Sequence, residues 1–545
     1  MLSDVTRSLW LGPYTLLLLI PLYGLLLAVF RLYFSPLSRF PGPRIAAATW
    51  WYQFYHDVIR RGRYIWVVRD MHARYGPIVR INPSELHICE SQFYNTLYVS
   101  GGIHRKRDKW SWDSVGAGGV RDSALSTVAH DLHRMRRSAI AQFFSAQNVD
   151  KLQPVIQSKA DLLVRRLAER RGRHTVVTNL NHAFSALTNG EDCRFGLRRD
   201  HHPWLTLRAD VIMEYCFARS YNRLAAPDFD PSYKHASHRG VRLAQIAKHI
   251  RLLGWLVTAM LALPESILVR CGPSFEMFLN ERKRLHRQIE ELTLESKAVG
   301  QDASHLTVFR ELLGSKLPPE EKTPARLSAE AQVLVSAGSE TTAKALTVAC
   351  FKLLTHPAVL ARLRDELETA LPSFGLESGL RLDQVQRLPY LTGVVKESLR
   401  LSYGVVGRLQ RIWPDEEIVF REWIIPRGTP VSMTSYDVHH DEAVFPDSFA
   451  FRPERWADNP GLDRYLVSFG KGSRHCVGMN LAMAELYLTL AKLFRLFGSG
   501  RVRRPGDLGQ LVLFETDESD IRMTGEVLVP FVKPDSRGVR VVVES

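Results

Sequence analysis

The segment Phe469-Gly470-Lys471-Gly472-Ser473-Arg474-His475-Cys476-Val477-Gly478 decides how this chain is read. It sets one cysteine in a glycine-rich loop directly ahead of an apolar helix starting near residue 478. A thiolate stays ionised only where positive charge and hydrogen-bond donors surround it, and glycines let backbone N–H groups approach the sulfur. Arg474 and the helix N-terminus are the candidate sources of positive potential. Gly470-Lys471-Gly472-Ser473 is not a phosphate loop, because the Walker spacing is missing. The plain alternative is a buried structural cysteine in a glycine-rich turn.

Further segments raise the interest of this loop. Glu397-Ser398-Leu399-Arg400 puts an acid and a base at i, i+3 in LPYLTGVVKESLRL, an apolar helix where a lone charge is costly. Pro453-Glu454-Arg455-Trp456 follows. Ala337-Gly338-Ser339-Glu340-Thr341-Thr342 lies midway along a long helical pattern. Glycine and an acid there are each unfavourable by roughly 1 kcal/mol, and such local violations tend to mark functional sites. A carboxyl beside a hydroxyl can pass protons stepwise where bulk water is excluded. His130 and Arg134, in HDLHR, share one helical face at i, i+4.

Phe469-x-x-Gly472-x-Arg474-x-Cys476-x-Gly478 resembles the haem-binding loop of the cytochrome P-450 family, which ligates haem iron through a cysteine thiolate. The other segments resemble that family's motifs in the family's order, over nearly the whole chain after its N-terminal segment. The resemblance implies haem b with Cys476 as axial ligand and Phe469 and Arg474 among the cofactor-binding residues. It implies proton delivery by Glu340 and Thr341, and a buried structural network of Glu397, Arg400 and Arg455. His130 stands where the family often carries Trp; with Arg134 and Arg411 it is expected to reach a haem propionate, Arg408 being the competitor of Arg411. Wording such as YGPIVRINPSELHI looks most like filamentous-fungal members of secondary metabolism.

The implied activity is insertion of one oxygen atom from O2 into a lipophilic small molecule, by hydroxylation or epoxidation of a terpenoid, polyketide or alkaloid. No nicotinamide fingerprint is present, since Gly116-Ala117-Gly118-Gly119 lacks the strand–helix frame. Electrons are therefore expected from NADPH through a separate cytochrome P-450 reductase, with cytochrome b5 a second candidate donor. A same-fold enzyme catalysing an O2-independent rearrangement or dehydration is the alternative; such members often lose the acid–alcohol pair that is intact here. A haem sensor without turnover is disfavoured for the same reason. Expected substrate walls are the 103–125 loop, the 205–265 helices, the start of the 326–356 helix, residues 403–409 and the 521–528 turn. Trp110, Trp112, Val405, Val406 and Leu409 make them apolar.

The rest of the chain fits one large domain. It has 545 residues, 45% hydrophobic and 24% charged, and no long linker. The fold expected is mainly α with small β-sheets, a triangular helical P-450 domain behind a transmembrane helix. Residues 1–33 are assigned to the anchor, 34–44 to a Pro-rich hinge and 45–545 to the catalytic domain. Residues 9–30 carry no charge and Arg31, Arg39 and Arg44 follow, which predicts a single-pass anchor with the bulk of the chain cytosolic; the resemblance implies the endoplasmic reticulum membrane. The shorter apolar run 252–264 is either a dip into the membrane surface or a core helix. Six scattered cysteines form no disulfide framework. The net charge of +15 suits an anionic membrane surface or an acidic partner; no nucleic-acid motif accompanies it. Helices are predicted near 128–144, 150–170, 275–298, 326–356, 357–371, 390–402 and 477–497. Strands are predicted within 75–90, around a turn at Pro426-Arg427-Gly428 within 417–434, and in 508–545.

Overall fold

Apolar residues at helical spacing give the structure its scaffold. In the computed structural model, residues 19–99, 105–114, 120–173, 175–188, 211–217, 224, 229, 232–250, 273–298 and 307–545 are described. The helices that position the site are α1 (Leu19–Phe34), α2 (Tyr64–Tyr75), α3 (His130–Ala141), α4 (Val211–Phe217), α5 (Pro324–Thr355), α6 (Pro389–Ser402) and α7 (Met479–Leu496). Proline at the first turn and the Thr323 hydroxyl, which accepts from Arg326 N, start α5. Tyr403 ends α6 in the left-handed region at φ +67°. α5 packs on α6 and α7, and Leu346, Leu353, Val394, Leu488 and Leu493 join one core cluster. Each such side chain contributes about 1.5–3 kcal/mol by leaving water.

Small sheets flank the helices. One has the order β1 (Ile78–Arg80), β2 (Leu86–Ile88), β8 (Val431–Ser432), β5 (Arg411–Ile412), β3 (Asp108–Lys109). Another runs β4 (Thr178–Asn179), β13 (Arg540–Glu544), β10 (Gly509–Leu513), β9 (Phe497–Ser499). Two hairpins, β6 (Ile418–Phe420) with β7 (Trp423–Ile425) and β11 (Gly525–Val527) with β12 (Val529–Phe531), stand apart. The first hairpin turns at Arg421-Glu422, with Arg421 at φ +51°, and not at Pro426–Gly428. Buried Ile418, Phe420 and Ile425 alternate with exposed Val419 and Ile424, and that alternation pins the register. Gly428 makes a separate turn, donating its N–H to the Trp413 carbonyl at 2.8 Å.

The N-terminal expectations fare differently. Residues 9–18 of the expected span lie outside the described residues, as does the 252–264 run. Among the described residues no single helix is long and apolar enough to cross a membrane. The expected hinge, 34–44, is docked against the domain: Leu37 and Phe40 are buried with the sheet residues, and the Phe40 ring lies 5.1 Å from Trp423. Buried Arg80 donates to the Arg31 carbonyl at 2.8 Å, and Arg31 donates to the Ala48 carbonyl at 2.8 Å. The two large apolar side chains between the prolines supply burial that a free spacer would lack.

Candidate active site

The cysteine loop is closed by its own backbone. Cys476 N–H donates to the Phe469 carbonyl at 2.8 Å. Gly472 has φ +75°, and a Cβ there would run into the Tyr98 carbonyl oxygen, so the position requires glycine. Cys476 is solvent-accessible, yet burial is the largest influence on its thiol and raises its pKa. The Gly478 N–H and the charge of Arg137 pull the other way without prevailing. The expectation that Arg474 keeps this sulfur ionised is corrected here. Arg474 donates to the Thr127 and Val128 carbonyls at 2.7 and 2.6 Å, while the cation that acts on Cys476 is Arg137. Because a ligating thiol must lose its proton, an iron bound here would have to drive the ionisation that burial opposes.

Beside the loop stands a crowd of positive groups. His133 is pushed down to about 2 by burial and then by Arg474, Arg137, Arg411 and His130. Arg474 is lowered to about 9 by burial and by Arg411, against Asp108. His130 is buried, with Nδ1 accepting from Arg107 N–H at 3.3 Å. His130 Nε2 and His133 Nδ1 are buried and have no hydrogen-bond partner among the described residues. Cations outnumbering carboxylates, with orphaned ring nitrogens among them, fit a ligand carrying two carboxylates, as haem does. Among the described residues no cluster of three or more His, Cys, Asp or Glu could hold a bare metal ion.

The structure redistributes the roles read from HDLHR. Arg134 is exposed; the i, i+4 pair that faces the cysteine loop is His133 and Arg137, three residues later on α3. Arg136 is held elsewhere, donating to both oxygens of Glu321 at 2.7 Å. Arg411 belongs to the cation group through its effect on Arg474 and His133. Arg408 does not: it is buried against Glu85 at 3.4 Å and Asp57 at 3.8 Å.

On α5 the Thr341 hydroxyl donates to the Ala337 carbonyl at 2.9 Å. Ala337 is exposed although most of the helix around it is buried. Gly338 serves another purpose, since a Cβ there would stand 3.3 Å from Ile212 of α4. The small residue on the open stripe is thus Ala337, and Gly338 lets α4 approach. Next to them Thr342 is buried and gives a hydrogen bond to Glu485 of α7. The motif reading does not single out Glu485, though a lone acid in NLAMAELYLTLAKLF breaks the apolar pattern as Glu340 does.

Glu397, Arg400 and Arg455 come together under the loop. Arg400 Nε and Nη2 donate to the two Glu397 oxygens at 2.9 and 2.8 Å. Arg455 Nε and Trp456 Nε1 add bonds at 3.1 and 3.0 Å. Arg400 Nη1 also reaches the His439 and Ser448 carbonyls at 2.9 and 2.5 Å. Both Glu397 and Arg400 are fully buried, so every lone pair and N–H saved from water matters.

Of the expected substrate walls, residues 103–104, 115–119, 205–210, 218–223, 225–228, 230–231 and 251–265 lie outside the described residues. Trp110 and Trp112 are committed to an aromatic stack with Trp50, the Trp50–Trp112 centroids being 4.4 Å apart. Val406 is buried and its N–H donates to the Leu528 carbonyl at 2.9 Å, which joins the 403–409 and 521–528 segments. Leu409 packs toward the sheet cluster.

An accessible cysteine in a glycine loop, arginines beside it and an acid next to an alcohol on a long helix are the features of a haem-thiolate oxygenase. The sequence pattern of the cytochrome P-450 family matches residues 43–500, and the chain belongs to that family. It is 43% identical to the cytochrome P-450 monooxygenase tpcC of Cochliobolus heterostrophus over 96% of this chain and 95% of that one. It is 42% identical to the cytochrome P-450 monooxygenase astB of Talaromyces wortmannii, over 97% and 98%. Tryptophan 6-hydroxylase fscE of Fusarium equiseti is 37% identical, over 96% and 98%. The protein is accordingly an oxidoreductase, a haem-dependent monooxygenase of small molecules with a cysteine-thiolate ligand and O2 as cosubstrate.

Proposed function

We propose that this chain hydroxylates or epoxidises a lipophilic secondary metabolite, with Cys476 as the iron ligand. The observation that carries the assignment is the accessible Cys476 loop set beside the guanidinium groups of Arg137, Arg411 and Arg474 and the buried, neutral imidazole of His133. When bound, haem supplies the activation of O2. The protein's own share is to hold, orient and feed protons. Arg411, Arg474, His130 and His133 would hold the haem propionates, and Arg137 together with the Gly478 N–H would stabilise the sulfur as it ionises. Glu340 passes a proton to Thr341, whose hydroxyl is oriented by the Ala337 carbonyl. Glu397, Arg400 and Arg455 keep the loop's underside rigid. The O2-independent alternative is not favoured while Glu340 and Thr341 stay paired in sequence.

Electrons reach the site from NADPH through a separate flavoprotein reductase, with cytochrome b5 as a second donor. Exposed Arg134 on α3 and half-buried Lys471 in the loop suit an acidic partner docking there. The chain is placed on the endoplasmic reticulum through residues 9–30; exposed Leu19, Ile20, Tyr23 and Leu26 of α1 support this. The decisive experiment is reduction under carbon monoxide of the wild type and Cys476→Ser. The long-wavelength band of sulfur-ligated haem is expected only in the wild type, and its absence there overturns the assignment. Turnover with NADPH but no reductase would overturn the electron route.

A further inference from the structure

A cavity of about 890 Å³ opens between α2, the C-terminal half of α5 and the turn at residues 518–524. Its α5 wall is Val348 and Lys352, about 10 and 16 Å further along the helix than Thr341 at 1.5 Å per residue. The floor is apolar: Tyr403, Tyr436 and Met523 are buried in one cluster, with Trp66 packed against it. Its polar atoms are already engaged. The Tyr403 hydroxyl meets His440 Nε2 at 2.8 Å, and Trp66 Nε1 donates to the Tyr436 hydroxyl at 3.3 Å. Such a floor offers contact area and no hydrogen bonds, which suits an aliphatic body. Phe449, 57% exposed, extends the apolar lining toward solvent.

The charge on the lining is lopsided. Arg60, Arg63 and Arg522 are exposed there, and among the described residues none of them makes an ion pair. Of the lining carboxylates, Glu518 is already held by Lys352 at 2.7 Å, which leaves Asp70 against three arginines. An apolar floor under surplus guanidinium is complementary to an amphiphile with an anionic head. The volume suits one chain of ligand size, in the range of about 300–1,000 Å³ typical of small-molecule sites.

We propose that this groove binds a long-chain carboxylate, its chain on the Trp66–Tyr403–Tyr436–Met523 floor and its head among Arg60, Arg63 and Arg522. Ile521 and Met523 lie in the turn expected to wall the substrate pocket, so an occupant would bear on that turn. The test titrates the full-length holoenzyme with a brominated long-chain fatty acid while tryptophan fluorescence and the haem absorption are both recorded. Saturable quenching without a haem spectral change is expected, lost in Trp66→Phe and at least tenfold weaker in Arg63→Gln/Arg522→Gln. Quenching that persists in Trp66→Phe, or tracks a haem shift, places the fatty acid elsewhere and overturns the proposal. So does equal binding of the corresponding alcohol, or quenching seen only with vesicles of brominated anionic phospholipid.

Discussion

Nη2 of Arg137 lies 3.1 Å from Nε2 of His475, so α3 reaches the residue next to Cys476 directly. The register of α3 turns Arg137, and not the exposed Arg134, toward the cysteine loop. Arg137→Ala is expected to weaken haem retention by about tenfold or more, from charge-assisted bonds of about 1.5–3 kcal/mol. Arg134→Ala leaves it unchanged. Haem transfer to an apo-globin acceptor measures both; equal loss in the two variants, or loss only in Arg134→Ala, refutes this register.

Under the loop, the Glu397 network predicts a stability effect. Glu397→Gln leaves Arg400 buried without its counter-charge, and removing one partner of a buried pair costs about 3–5 kcal/mol. Calorimetric melting should show a drop of many degrees, with haem loss at the same transition. Arg452→Ala is the control: its side chain is exposed and only 3.4 Å from an exposed Asp447, an arrangement worth about 0–1 kcal/mol. A Glu397→Gln protein melting like Arg452→Ala contradicts the structural role.

On α5, Thr341→Ala removes the hydroxyl that the Ala337 carbonyl orients. Oxygen uptake and NADPH oxidation should continue while product per O2 falls and hydrogen peroxide rises. Glu340→Gln is expected to slow product formation by about 10²-fold, the lower range for a positioned proton donor. Oxygen electrode traces with product quantified in parallel give both numbers. Unaltered coupling in Thr341→Ala excludes it from proton delivery.

How much of the fold and site is legible in the sequence depends on the kind of signal. The Cys476 loop, the Glu397–Arg400 pair and the long helix through Glu340 break local rules strongly, and all fall at the expected places. Helix boundaries follow from periodicity: it places 326–356 where the helix is 324–355, and 477–497 where it is 479–496. Pairings within a charge-rich helix are not legible. In HDLHRMRR both His130/Arg134 and His133/Arg137 satisfy i, i+4, and only the packing of α3 on the loop separates them. Arg408 and Arg411 pose the same ambiguity in sequence, and in space Glu85 and Asp57 lie against Arg408. The 34–44 segment looks like a spacer because its prolines stand out, whereas the burial of Leu37 and Phe40 depends on a sheet far away in sequence.

Glu485 carries the last prediction. It is buried in α7, and burial pushes its carboxyl up to about 8, partly offset by the Thr342 hydroxyl. A carboxyl whose pKa is higher folded than unfolded favours the folded state while protonated. That contribution is complete below the ordinary value near 4.5 and is lost as pH rises through about 8. Because each tenfold change in proton affinity is worth about 1.4 kcal/mol, the loss amounts to a few kcal/mol. Glu485→Gln cannot ionise, so its melting temperature should gain on that of the wild type between about pH 5 and 8.5 and stop gaining above. The constant cost of the substitution itself drops out, because only the pH dependence of the difference is read. Parallel curves over that range would show that Glu485 is already ionised at the acid end, and that Thr342 faces a carboxylate.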